Sequence, residues 1–456
     1  MEELQEEKKS GKRQWIYPLI RKGPFYKWRS SISYFFLVLL FAGPFIRIGG
    51  QPLLLLNFID RQFVIFGQVF WPQDIFLFVI ATLIFLVCIV LFTIAFGRIF
   101  CGWICPQTIF MEMVFRKIEE WIEGDARKRK KLDAGPWTRE KIIRKTAKTA
   151  VFIVISFFIA NIFLAYIVGS DALIKIITEP VSQHVAGFIS IWAFTLIFYT
   201  VYSRIREQVC TLFCPYGRLQ GVMIDEHTLV VAYDDVRGEP RGKIDKKQDQ
   251  AGKGDCIDCK LCIDVCPTGI DIRKGTQLEC INCTACIDVC DEVMDKIGKP
   301  HNLIGYFSEN MIHKQEKPSF TVRMKAYSAV IMVLVSAMAY FVLTRSDLDV
   351  TIMRGANTLY QQQPGGYISN IYNAEFINKT DRRKSFVLQS DDPAIKIKYI
   401  QAPGTMEKEG SVKAVFFIMI PAAQIHAFET DVHLQLLVGK KIVKTVNAEF
   451  VGPIND

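Results

Sequence analysis

The chain runs to 456 residues, too long for one ordinary domain and long enough for two or three. Half of the residues are hydrophobic, but they come in long runs between strongly charged stretches, which excludes a simple soluble globule and suggests a membrane protein with soluble parts. The net charge of +9 collects beside the apolar runs, so it marks a membrane face rather than a nucleic-acid surface.

Residues 1–31 form a basic tail with Lys8, Lys9, Lys12, Arg13, Arg21, Lys22, Lys27 and Arg29. No small-residue cleavage site follows closely behind the first apolar run, so the tail does not read as a signal peptide. Five segments have the length and apolarity of a bilayer span: Ile32–Ile48, Ile75–Phe96, Ala147–Val168, Val185–Tyr202 and Ala326–Leu343. The first is the shortest and contains Gly43-Pro44. The loop 49–74 carries only Arg61 and the loop 169–184 only Lys175, whereas 97–146 holds Arg116, Lys117, the Arg127–Lys131 run, Arg139 and Arg144. The positive-inside rule then places the tail, 97–146 and 203–325 in the cytoplasm of a bacterial inner membrane. An odd number of spans sends 345–456 to the periplasm.

Within 97–146, Met111, Val114, Phe115, Ile118, Trp121 and Ile122 make one apolar stripe. With the basic run behind it, this helix is expected to lie on the inner leaflet.

The membrane domain, 32–224, contains an internal repeat. Cys101-Gly-Trp-Ile-Cys105-Pro106 follows the second span and Cys210-Thr-Leu-Phe-Cys214-Pro215 the fourth, so two helical hairpins each end in CxxxCP. Proline suits the first position of a new helix and leaves Cys105 and Cys214 at N-caps, where the helix dipole favours thiolate. Arg98, Arg206 and Arg218 add positive field. Soft thiolates suit Cu(I). Thiol–disulfide exchange is the competing redox use, and simple packing of small apolar side chains the structural one.

Residues 225–325 hold Cys256-x2-Cys259-x2-Cys262-x3-Cys266-Pro267, repeated as Cys280-x2-Cys283-x2-Cys286-x3-Cys290. Each run can hold three corners of a four-iron cubane while its fourth cysteine reaches the other cluster. Cys256, Cys259, Cys262 and Cys290 then hold one cluster, and Cys280, Cys283, Cys286 and Cys266 the second. Paired zinc sites are the alternative, but eight cysteines in two copies of this spacing are ferredoxin-like. Asp291 replaces the usual second proline. None of the six histidines lies inside a span and there is no CxxCH, so haem has no evident ligands.

After a last span at 326–344, residues 345–456 turn β-rich. Runs at Asp349–Met353, Tyr367–Ile377, Lys384–Leu388, Ile395–Ile400, Val412–Ile420, Val432–Val438 and Ile442–Phe450 predict an immunoglobulin-like sandwich without a disulfide. His426, His433 and Met419 read as strand residues rather than copper ligands. The expected fold class is therefore mixed: about five membrane helices, a cytoplasmic bacterial-type 2[4Fe-4S] ferredoxin domain, and an all-β C-terminal sandwich.

The stretches "CGWICPQTIFME", "CPYGRLQ", "CIDCKLCIDVCPTGIDIRKG" and "ECINCTACIDVCDEVMDKIGKP", with the basic tail, last span and sandwich, resemble the FixG/CcoG/RdxA family over nearly the whole chain. These are accessory proteins of the cbb3-type cytochrome c oxidase. The resemblance implies a role in oxidase assembly, with reduction of Cu(II) to Cu(I) for the oxidase copper centre, and so a cupric reductase. Carried over by position, Cys101, Cys105, Cys210 and Cys214 would be the catalytic, copper-binding thiols, fed by two [4Fe-4S] clusters. Implied partners are the lipid bilayer, oxidase subunits or copper chaperones, and an electron donor, with no nucleic acid. The competing function is a NapH/NosR-like relay subunit passing electrons between quinol or a cytoplasmic donor and a membrane partner. A third reading leaves the clusters purely structural.

Overall fold

The computed structural model describes residues 15–57, 62–65, 67–70, 75–243, 252–344, 346, 348–355, 359–379, 383, 385–402, 405–406, 410–425, 427–438 and 441–453. Lys8, Lys9, Lys12, Arg13, Arg61, Lys384 and His426, singled out above, lie outside them. The chain divides into two compact units, Met1–Ala337 and Met338–Asp456.

Among the described residues four helices are long and apolar enough to cross a membrane: Ile75–Phe96, Arg139–Val168, Val185–Ile205 and Val322–Leu343. Lipid offers no hydrogen bonds, so polar groups in a span must be satisfied within the protein. The hydroxyls of Thr82, Thr93, Ser190, Thr195, Ser328 and Ser336 do this by donating to the carbonyl four residues back. Large apolar side chains such as Phe85, Leu196 and Met332 face outward on these helices, as a lipid-facing surface would require.

The segment expected as a fifth span differs from the other four. Its helix runs Pro24–Ala42, earlier than Ile32–Ile48, and stops at Gly43, ahead of a small hairpin that pairs Arg47–Ile48 with Gln51–Pro52. Tyr26, Lys27, Arg29, Ser30 and Ser31 make its first half too polar to rank with the other spans. Nineteen residues nonetheless reach about 28 Å. Asp288 caps its first amides, those of Phe25 at 3.0 Å and Tyr26 at 2.8 Å. At its far end the Leu40 carbonyl accepts from the Tyr166 hydroxyl at 2.9 Å. Tyr166 lies in the last turn of Arg139–Val168, so the two helices share that end.

The amphipathic stretch 109–122 does not present a fully solvated polar face. It is the helical run Pro106–Ile109, a π-helical stretch Phe110–Phe115, and helix Arg116–Glu123. Phe110 and Phe115 pack against Phe152, Ile159 and Tyr202, with the Phe115 and Tyr202 rings stacked at 4.5 Å. On the other side Arg116, Glu119 and Glu123 are also buried. The following basic run, Arg127–Lys131, lies in helix Ala126–Ala134 and is exposed apart from Arg129, which is buried. Apolar periodicity shows which face seeks cover, but it cannot show that buried ion pairs cover the other face.

In the cysteine-rich part, strand Val230–Tyr233 pairs antiparallel with Ile304–Phe307 and brackets both cysteine runs. Val231, Ile270, Ile272, Ile287, Met294 and Leu303 fill the core between them.

The second unit is a two-sheet β-structure. Lys396–Gln401, Ser411–Pro421, Tyr367–Asn378 and Leu348–Arg354 neighbour one another in that order, with Gln361–Gln363 added beside Tyr367–Asn378. Val387–Ser390, Glu429–Val438 and Lys441–Val451 form the other sheet. Strict alternation buries Ala414, Phe416, Ile418 and Ile420 from one sheet and Val432, Leu434 and Leu436 from the other into a shared core. Six of the seven expected runs are strands; among the described residues of Lys384–Leu388 only Val387 and Leu388 are, as the start of Val387–Ser390. His433 bonds Asn447 at 2.7 Å on an exposed face, in the sheet that lacks Met419.

Candidate metal centres

The two cysteine runs repeat in backbone conformation as well as in spacing. The residues flanking the middle cysteine of each CxxCxxC are left-handed: Asp258 (φ 53°) and Lys260 (φ 59°) in the first, Asn282 (φ 51°) and Thr284 (φ 65°) in the second. Such angles are uncommon outside glycine. Alternating them with right-handed residues curls the chain into a concave nest of backbone N–H groups, which suits a negatively charged body.

Two cavities result. One is walled by Cys256, Cys259, Cys262 and Cys290, and the other by Cys266, Cys280, Cys283 and Cys286 with the edge of Cys262. Burial pushes the Cys262, Cys280 and Cys290 thiols up to about 12 and Cys286 well above its ordinary value. Alone they stay protonated; a coordinated cation is what makes such thiols anionic. Among the described residues no three His, Cys, Asp or Glu side chains converge on a single-ion site. Four cysteines around each cavity match the four-cysteine donor set of a [4Fe-4S] cluster.

The CxxxCP repeat is also conserved in shape between its two copies. Gly97 (φ 58°) and Arg206 (φ 55°), each four residues before the first cysteine, both take a positive φ where the preceding helix ends. Cys105 donates its amide to Phe100 O at 2.9 Å, and Cys214 to Val209 O at 2.8 Å, the same five-residue closure. Both second cysteines then cap a helix that starts on proline. The four thiols of Cys101, Cys105, Cys210 and Cys214 lie within electrostatic reach of one another.

The expected low thiol pKa at Cys105 is overturned. Burial dominates and raises it, although the amides of Gln107 and Thr108 pull the other way as the helix N-terminus predicts. Burial likewise pushes Cys101 up to about 11 and Cys210 to about 12. Arg98 opposes this at Cys101. Arg206 instead serves Glu119, which it meets at 2.9 and 3.1 Å.

The two thiol systems meet directly. Trp103, inside the first CxxxCP, donates its indole N–H to Asn282 O at 3.1 Å. Gly102 packs flat on Ile281–Cys283, the turn of the second cavity. Asn282 donates through Nδ2 to Phe96 O at 3.2 Å and accepts from Val231 N at 3.3 Å, tying the end of helix Ile75–Phe96 to the strand that brackets the cysteines. Fully buried Gln220 joins the two CxxxCP halves: it accepts from Cys101 Sγ at 3.0 Å and donates to Thr93 Oγ1 at 3.2 Å. Beneath them, Glu119 also holds Arg129 at 3.1 Å, and Glu123 holds Lys145 and Lys148, both at 3.0 Å. Burial disfavours the Glu119 charge, but Arg206, Lys148, Arg129 and Arg116 together hold its carboxyl below the ordinary value.

Sequence reasoning missed Asn282, Gln220, Asp288 and Arg29. Asn282 alone left a trace, occupying the slot that Asp258 fills in the first copy.

Comparison with known proteins places these features in order along the chain. The profile of a 4Fe-4S binding domain matches residues 78–130, that of a 4Fe-4S dicluster domain 205–309, and that of an IG-like fold at the C-terminal of FixG 338–453. The nitrogen fixation protein FixG of Rhizobium meliloti is 32% identical over 418 residues, covering 83% of this chain and 79% of its own. Protein RdxA of Cereibacter sphaeroides is 34% identical over 350 residues, covering 75% of this chain and 73% of its own. Protein RdxB of the same organism is 34% identical over 391 residues, covering 82% and 81%. A crystal structure of a FixG-related protein from Vibrio parahaemolyticus is 16% identical and covers 24% of this chain and 97% of its own, with a TM-score of 0.21.

Proposed function

The chain belongs to the FixG/RdxA family, and on that premise we propose that it is an electron-transfer protein that reduces Cu(II) to Cu(I) during assembly of a cbb3-type cytochrome c oxidase. Cys256, Cys259, Cys262 and Cys290 would hold one [4Fe-4S] cluster and Cys280, Cys283, Cys286 and Cys266 the other, a partition that the two cavity linings support. Single-electron storage is what such clusters supply when bound, and it matches the Cu(II)/Cu(I) couple.

Copper is the substrate. Cys101, Cys105, Cys210 and Cys214 receive it, and their sulfur favours the monovalent product. Burial keeps at least three of these thiols protonated until a cation displaces the protons, so copper capture releases protons. Reduction then moves one electron onto copper and breaks no bond in the chain. The observation that carries this reading is the packing of Gly102 and Trp103 on Ile281–Cys283, which sets the first CxxxCP turn against the turn that carries Cys283.

Helix Pro24–Ala42 counts as a fifth crossing in this reading, because its ends coincide with the cluster side and with the far end of Arg139–Val168. Five crossings put the clusters in the cytoplasm and the sandwich in the periplasm. Oxidase subunits or copper chaperones are the partners this arrangement suits.

The test is a Cys101→Ser/Cys105→Ser double variant of the purified, cluster-loaded protein. Cu(II) reduction is expected to vanish while the cluster spectrum persists. Reduction at the parent rate would end the copper assignment and leave the relay function standing.

A further inference from the structure

The two cavities differ in the charge around them. Arg29 and Arg98 are buried, 4% and 3% exposed, and both address the second cavity. Arg29 Nη1 donates to Cys283 O at 2.8 Å. Arg98 Nη1 donates to the Leu278 carbonyl, two residues before Cys280, and its Nε donates to Gln220 Oε1 at 3.2 Å. All these acceptors are neutral, and neither guanidinium has an ion-pair partner among the described residues. Asp288, whose oxygens accept from the Phe25 and Tyr26 amides, lies in the field of Arg29 and offsets part of its charge without an ion-pair contact. Arg116, which reaches Pro267 O at 3.0 Å, is balanced by Glu112 and by Glu207 at 3.5 Å.

Around the first cavity the balance runs the other way. Arg273 is neutralised by Asp258 at 2.5 Å and Asp271 at 2.8 Å. What field Arg273 keeps favours the Cys262 thiolate while Asp271 opposes it, Asp291 opposes Cys290, and at the second cavity Glu112 opposes Cys283. Lys260 and Cys259 in the wall are exposed, so water screens what charge Lys260 brings.

Resting on the cluster assignment above, we propose that Arg29 and Arg98 hold the second cluster at a higher reduction potential than the first, so that an electron runs toward the CxxxCP thiols. Adding an electron makes a thiolate-bound cluster more negative, and a fixed positive charge favours that state. Burial by itself pulls the second cluster the other way. The charge of Arg98 and the part of the Arg29 charge that Asp288 leaves act through the same dry surroundings, where Coulomb interaction is least attenuated, and reverse the order. The step balances internally: the first cluster loses one electron, the second gains one, and no proton moves. A low-potential one-electron donor, dithionite in the test, fills the first. Arg29 and Arg98 are positioning residues; Arg98 also lies against the Cys101 thiol, so its effect on the cluster is read with copper absent.

The test is a redox titration of the full-length, cluster-loaded protein in detergent, followed by electron paramagnetic resonance without copper. The parent should show two distinct midpoints. Arg98→Gln and Arg29→Gln should each lower the more positive midpoint by about 59 mV or more, a tenfold change for a one-electron couple, and leave the other in place. Arg98→Lys and Arg29→Lys keep the charge and should restore it. Coincident midpoints in the parent, or a shift confined to the more negative one, would overturn the proposal. If one Gln variant fails to load iron and sulfide, the other reports from the opposite side of the cavity. Copper is absent throughout, so failure here is distinct from failure of the cupric reductase reading.

Discussion

Gly102 lies so close to the carbonyl oxygen of Ile281 that a Cβ there would overlap it, with Asn282 C and Cys283 Cα also only 3.1 Å from that position. Glycine is required by close approach rather than by φ. It lets the first CxxxCP turn rest on the turn that walls the second cysteine cavity.

Gly102→Val should therefore wedge the two turns apart. Both belong to packed structures, so the strain is about 1–3 kcal/mol, shared between them. Iron and sulfide content should stay near that of the parent while electron delivery to copper falls at least tenfold, read by stopped-flow reoxidation of the reduced clusters. An unchanged rate would place the electron path elsewhere.

The partition of thiols between the cavities predicts which losses go together. Cys290→Ser and Cys256→Ser should weaken the same resonance signal, although they belong to different sequence runs, and Cys266→Ser should pair with Cys280→Ser. Signals that follow the sequence runs instead would refute the crossed assignment.

Glu119 is 3% exposed and is the shared acceptor for Arg129 and Arg206. Glu119→Gln leaves buried cations uncompensated, an expected loss of about 3–5 kcal/mol. Thermal unfolding in detergent should show a clear drop in midpoint, larger than for an exposed pair such as Arg47–Asp171 broken by Asp171→Asn.

Sidedness is tested by protease added to intact spheroplasts. The sandwich at 348–453 should be clipped from outside and the 252–314 segment protected. The reverse pattern would contradict the cytoplasmic placement of the clusters.

The repeats were legible in the sequence because iron–sulfur ligation and strand alternation both impose fixed spacings. The eight clustered cysteines, the paired CxxxCP feet and six of the seven β-runs could be read for that reason. Polar contacts between distant segments have no such period. Nothing in the chain announces that Asp288 caps a helix 263 residues earlier, or that Gln220 receives the Cys101 thiol. The same limit explains the two errors at the hairpin feet. A helix N-terminus was visible at Cys105 but its burial was not, and the stripe from Met111 to Ile122 hid the buried Glu119 network behind it.

The most direct measurement adds Cu(II) stepwise to anaerobic protein whose clusters have been reduced with dithionite and freed of excess reductant, with both metals followed by electron paramagnetic resonance. Each equivalent of Cu(II) should erase one equivalent of reduced-cluster signal without leaving a copper signal, until the clusters are spent. Persistence of both signals together would contradict the account.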